Sequence, residues 1–209
     1  MKKNFYLCIS FLFVCFSVSA KIWRVNNNTG VAADFNNVNS AMTAASVGDT
    51  IHIEASATAY PNFNVTKRLV FIGTGYFFTD ATPNPKTQVN TNAATINSGI
   101  EFMPGSAGSV IEGLTIPGLF IDDGAITIQR NNINSYIYLG WKASSTCNAD
   151  TIRQNFLYGL ISQTSTSTVT NLMVTIIFLM EQASILAAIS IILQGLLLIM
   201  ILLQLHSPV

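Results

Sequence analysis

Apolar residues fall in short runs through the middle of this chain and in two long runs at its ends. In the middle, Thr50-Ile51-His52-Ile53-Glu54 alternates with period two. This predicts a strand with Ile51 and Ile53 turned inward and His52 and Glu54 outward. Leu69-Val70-Phe71-Ile72 predicts a second strand, and Gly73-Thr74-Gly75 a turn that ends it, since the glycine pair lacks the rest of a dinucleotide fingerprint. Upstream, Val38, Ala41, Met42 and Ala45 recur at helical spacing. They predict one helix from about Phe35 to Ala45. Asp34 is its expected N-cap, because a carboxylate there accepts from the free N–H groups of the first turn, and Gly48-Asp49 ends it.

Further on, one frame recurs. Ile111-Glu112-Gly113-Leu114-Thr115-Ile116 aligns with the runs beginning at Ile128 and Ile152, and more loosely with one beginning at Met173. The starts lie 17, 24 and 21 residues apart. A period near twenty with uneven spacing predicts stacked coils with loop insertions. Asn131 and Asn155 share the fourth position, where stacked amides can hydrogen-bond as a ladder and satisfy polar groups at a sharp turn. The other Asn residues are expected as turn residues that tolerate positive φ.

These segments carry a resemblance. Asp34-Phe35-Asn36-Asn37-Val38 through Ala44-Ala45, then Gly48-Asp49-Thr50-Ile51-His52-Ile53, resembles the opening of secreted right-handed parallel β-helix proteins of the pectin-lyase-like superfold. Lys67-Arg68-Leu69-Val70-Phe71-Ile72-Gly73 and Ser109-Val110-Ile111-Glu112-Gly113-Leu114-Thr115-Ile116 are similar to that family's coils. The resemblance covers roughly 21–175. It implies an all-β solenoid whose short N-terminal helix covers the first strand edge, an edge that would otherwise invite aggregation.

The ends differ from the middle. Lys2-Lys3, the apolar run from Phe5 to Phe16 and Val18-Ser19-Ala20 form the three parts of a secretory signal peptide, with cleavage expected after Ala20. Cys15 follows Val14, which does not suit a lipidation site, and is read as apolar filler. Without residues 1–20, Cys147 is the one remaining cysteine, so no disulfide is expected; it is read as a small buried side chain. Residues 176–209 contain no Asn, Thr, Asp, Lys or Arg, and Ile plus Leu make up half of them. They read as a hydrophobic, helical tail with two explanations. One is a membrane anchor over 183–205, although no Lys or Arg flanks it. The other is a frameshift near Thr175 that replaced further coil sequence. In the frame offset by one base every Ile codon, which begins AT, reads xAT and encodes Asn, Asp, His or Tyr. That restores the Asn–apolar texture of the coils. The expected organisation is therefore 1–20 signal peptide, 21–175 parallel β-helix, and 176–209 hydrophobic tail.

Composition narrows the chemistry. Only 10% of residues are charged and the net charge is zero, so there is no basic field to hold nucleic acid. Enzymes of the resembled superfold use an Arg or Lys base with acidic residues holding calcium, or clustered Asp residues. Here Asp122-Asp123-Gly124 is the one adjacent acidic pair of the mature chain. It reads as a turn, with a calcium role as its alternative. His52 reads as a solvated strand residue and His206 has no motif around it. Lys67-Arg68 reads as a solvated turn. The ligand-facing candidates are aromatic: in Tyr136-Ile137-Tyr138-Leu139-Gly140-Trp141, Ile137 and Leu139 point into the core, which leaves Tyr136, Tyr138 and Trp141 together outside. The expected function is a secreted or cell-surface module, non-catalytic, adhesive or binding polysaccharide. Its alternatives are a polysaccharide lyase or glycoside hydrolase, and a surface protein anchored in the membrane by its C-terminus.

Overall fold

The computed structural model describes residues 20–75, 92–159, 161–163, 166–179 and 197–199. They form an all-β, solenoid-like structure with one short helix. Every strand pairing among the described residues is parallel. The expected signal peptide and most of the expected tail lie outside the described residues. Of the tail, 176–179 continue the strand Met173–Leu179, and Leu197–Ile199 pairs in parallel with 173–175. These described parts of 176–209 are strand, not the expected helix. Among the described residues no helix is long and apolar enough to cross a membrane.

Apart from the separate parallel pair Thr146–Asn148 with Thr168–Thr170, the strands stack in three ladders. The first runs through Ile22–Val25, Thr50–Ile53, Val70–Ile72, Val110–Glu112 and Thr127–Gln129, then 151–153 and 173–175. The third runs through Asn64–Val65, Ile100–Phe102, 119–121, 137–139 and Ile161–Gln163. The middle ladder joins 115–116, 132–133, 156–157 and 178–179. Inward columns such as Ile51, Phe71, Ile111, Ile128 and Ile152, and Ile100, Leu119 and Ile137, are buried. Stacking equivalent branched side chains keeps the interior dry and is the main stabilising term of the solenoid.

The repeat frame is observed, with one correction. Ile111, Ile128 and Ile152 are in register, but the fourth partner is Val174, not Met173. Met173 faces outward and is 45% exposed. The Asn ladder is present and fully buried. Asn131 Oδ1 accepts from Leu114 N at 3.1 Å, and Asn131 N donates to Asn155 Oδ1 at 2.9 Å. Their side-chain amides donate to Ile111 O and Ile128 O. Each ladder position directly follows a residue in the left-handed region, namely Gly113, Arg130 and Gln154. Among the described residues only Asn171 is an Asn with positive φ, so the general turn-residue expectation for Asn does not hold. Their side chains act instead: Asn27 and Asn28, for example, donate to the carbonyls of Thr58 and Ala55.

A second polar column occupies the residue just before each first-ladder strand. Reading from coil to coil, that position is Lys21, Asp49, Leu69, Ser109, Ile126, Asp150 and Leu172, so from Asp49 onward polar and apolar side chains alternate. Each polar member from Asp49 onward accepts the backbone N–H of the coil before it. Asp49 Oδ1 takes Lys21 N, Ser109 Oγ takes Leu69 N, and Asp150 Oδ1 takes Ile126 N, at 2.8 to 3.1 Å. The N–H groups of Asp49 and Ser109 turn to local carbonyls, Ser46 O and Ser106 O. The chain thereby satisfies buried donors that the strand ladders leave over.

The helix is Val38–Ala44, shorter than expected. Val38, Ala41, Met42 and Ala45 are buried as their spacing requires. Its N-cap is Asn37, whose side chain accepts from Ser40 N at 2.8 Å; Asp34 is not the cap. Asp34 Oδ2 instead accepts Arg24 N on the outer edge of the first strand. Phe35 N and O bond Arg24 O and Asn26 N on that same edge. Residues 34–35 thus occupy hydrogen-bonding groups that would otherwise recruit another strand. Lys67, expected in solvent, donates to Ala45 O at the helix C-terminus at 2.6 Å. Gly73 sits where a Cβ would lie 2.2 Å from Gly113 O, so the turn after Val70–Ile72 needs glycine for close coil contact.

Candidate functional site

Alternation along Asn132–Leu139 buries Ile137 and Leu139 and places Tyr136 and Tyr138 on the outer face of the third ladder. Trp141 follows across Gly140 and is 47% exposed. The three side chains come together as expected. Ring centroids are 4.5 Å apart for Tyr136–Tyr138 and 5.3 Å for Tyr138–Trp141. Phe120 completes the group. It is the register partner of Tyr138 one coil earlier, stacked on it at 5.8 Å, and its ring is 4.8 Å from Trp141. The four rings form one continuous platform. Its floor is made by missing side chains. A Cβ on Gly118 would lie 2.8 Å from Cε2 of Tyr136, and one on Gly99 would lie 2.5 Å from Cε2 of Phe120. The Tyr136 and Phe120 rings come close to backbone at those two points.

The loop that carries Trp141 is held from both sides. Gly140 has φ +64, and Ser167 Oγ donates to Gly140 O and shares Lys142 O at 2.8 and 3.0 Å. On the other side buried Asp122 accepts Lys142 N at 2.6 Å and Ser145 Oγ at 2.8 Å. Asp123 faces different partners: Oδ2 accepts from Gly105 N and Ala107 N, and Oδ1 from Gly124 N. The pair is therefore a turn whose carboxylates are used separately. Among the described residues no group of three or more His, Cys, Asp or Glu is arranged to hold a metal ion. Lys142 reaches back across the Phe120 strand and forms an ion pair with Glu101, which stands next to Phe120 in the outward column.

The other candidates are structural in character. Cys147 is fully buried, its Sγ donates to Ile121 O, and desolvation pushes its thiol up to about 12, so it holds no thiolate at neutral pH. His52 is half-buried on the outer face of the first ladder, between Arg24 and Ile72. His206 lies outside the described residues. Asp150 is the other acid of note. It is 1% exposed, and burial, with Asp123 nearby, pushes its carboxyl up to about 7. Phe120 was not legible as a site residue. It lies in the apolar run Leu119-Phe120-Ile121, and only the register with Tyr138 shows which of the three faces out.

No family model matches the chain, and no curated protein or solved structure matches it either.

Proposed function

We propose that this chain is a secreted or cell-surface module of the right-handed parallel β-helix type, similar in fold to pectin-lyase-like proteins. On this reading it binds polysaccharide without turning it over. The observation that carries the reading is the platform of Tyr136, Tyr138, Phe120 and half-exposed Trp141 on one outer face. Aromatic faces offer apolar area to the C–H faces of sugar rings, and the tyrosine hydroxyls and indole N–H supply a polar rim. The engagement of Asp122 and Asp123 in loop hydrogen bonds favours binding over the lyase or hydrolase alternative. Retention of the full chain on immobilised polysaccharides tests it. The unmodified chain is retained without release of oligosaccharides, and Tyr138→Ala with Trp141→Ala abolishes retention while the far-UV spectrum stays that of a β protein. Equal retention by the double variant, or none by the unmodified chain, removes the reading.

A further inference from the structure

We infer that the aromatic platform selects uncharged polysaccharide and rejects acidic chains such as polyuronates, an inference that rests on the glycan-binding reading above. The outward column of the third ladder runs Asn64, Glu101, Phe120, Tyr138 and Ser162. It contains one charged side chain, Glu101. Among the described residues the one cation beside the platform is Lys142, next in sequence to Trp141, and its ammonium is paired with the Glu101 carboxylate. The pair is anchored rather than adventitious. Asp122 holds the Lys142 backbone N–H, Ser167 Oγ reaches its carbonyl, and Glu101 is only 17% exposed at its side chain.

A uronate carboxylate arriving on the rings would meet a cation already matched to an anion. To reach it the ligand would have to displace Glu101 and leave that carboxylate half-buried and unpaired, which is the repulsive element of a specificity device. The carboxylate of Asp122 also lies within electrostatic range of Lys142. Among the described residues the arginines lie elsewhere. Arg24 pairs with Glu54, Arg68 lies against Gly48 and Gly108, Arg153 bonds Gln129 on the first ladder, and Arg130 bonds Gln154 at a turn. A neutral sugar asks nothing of the ion pair. It needs only the ring faces and hydroxyl-scale hydrogen bonds, so its binding is insensitive to salt.

The test compares immobilised cellulose, mannan and galactan with immobilised polygalacturonate and alginate. The unmodified full chain is retained on at least one neutral resin. That retention changes by less than roughly twofold between about 0.02 M and about 0.5 M salt, a range over which exposed charge interactions are screened away. It is not retained on the acidic resins, and soluble neutral oligosaccharides, not galacturonate oligomers, elute it. Glu101→Gln frees Lys142 and adds retention on polygalacturonate that salt removes. Salt-sensitive retention of the unmodified chain on an acidic resin would overturn the selectivity and leave glycan binding standing. A folded Glu101→Gln variant with no such gain would overturn it as well. Failure to bind any resin would remove the glycan reading itself.

Discussion

Asn155 Oδ1 accepts two hydrogen bonds from Asn131, one from its backbone N–H at 2.9 Å and one from its side-chain amide at 3.2 Å. One buried oxygen thus serves a main-chain donor and a side-chain donor of the coil before it. The main-chain half of this arrangement recurs between Asn131 Oδ1 and Leu114 N.

Asn131→Ala should therefore be costly out of proportion to its size. It leaves Leu114 N without its acceptor and removes the amide donor to Asn155 Oδ1 and Ile111 O, although the main-chain N–H of residue 131 still reaches Asn155 Oδ1, and buried groups left unmade cost about 1–3 kcal/mol each. The expected loss is roughly 2–4 kcal/mol, read from urea unfolding. A loss within about 0.5 kcal/mol, typical of surface positions, would mean that water replaces the ladder.

Asp150 makes stability depend on pH with a defined sign. Its carboxyl titrates near 3.9 in an unfolded chain and is pushed up to about 7 in the fold. The native state therefore holds a proton that the unfolded state gives up. Stability from this group is complete below the unfolded value and is lost as pH rises toward about 7, at up to about 1.4 kcal/mol per unit of pH. Asp150→Asn keeps an acceptor for Ile126 N and removes the titration. Melting temperatures from pH 5 to 8 should fall for the unmodified chain and stay flatter for the variant. Parallel profiles would refute this.

The two acceptors at the N-terminal end are separable. Asn37→Ala removes the helix cap and should cost about 1 kcal/mol. Asp34→Ala leaves the helix intact and uncovers Arg24 N on the outer strand edge, so its signature is concentration-dependent association, seen by light scattering. A large helix loss in the Asp34 variant, with none in the Asn37 variant, would restore the original cap assignment.

The gene carries a prediction of its own. Register pairs Asn155 with Ile177, so 177 is the next position of the Asn ladder. In the reading frame offset by one base the codon there is xAT, as it is at 176. We expect that frame to continue without a stop through several codons beyond Thr175, with Asn in the ladder position. Sequencing the gene decides this, and an immediate stop in the offset frame ends the frameshift idea.

What could be read from the chain depended on whether a residue's type and its orientation agreed. The helix face was legible because Val38, Ala41, Met42 and Ala45 are apolar and all buried. The cap was not, because Asp34 and Asn37 are equally good acceptors and only the path of the chain chooses between them. The first three copies of the repeat were legible through Ile111, Ile128 and Ile152. The fourth slipped by one residue because outward Met173 is as apolar as its neighbour Val174. Tyr136, Tyr138 and Trp141 stood out through their apolar–aromatic alternation, whereas Phe120 was hidden in a uniformly apolar run. Turn chemistry misled most. Ala125, Arg130, Ala149 and Gln154 hold left-handed conformations that sequence reasoning reserves for Gly and Asn, because stacking on both sides fixes the path regardless of local preference.

The alternation of Asp49, Leu69, Ser109, Ile126, Asp150 and Leu172 has a consequence for how such a chain can change length. A side chain that accepts from the preceding coil must be followed by one that donates its own amide forward. Removing a single acceptor coil would bring two donors face to face and strand a buried N–H, and removing a single donor coil would leave a buried acceptor without its partner. Removing or inserting coils in pairs keeps every partner. The heritable unit of this solenoid is thus the doublet, and viable length variants should differ by even numbers of coils.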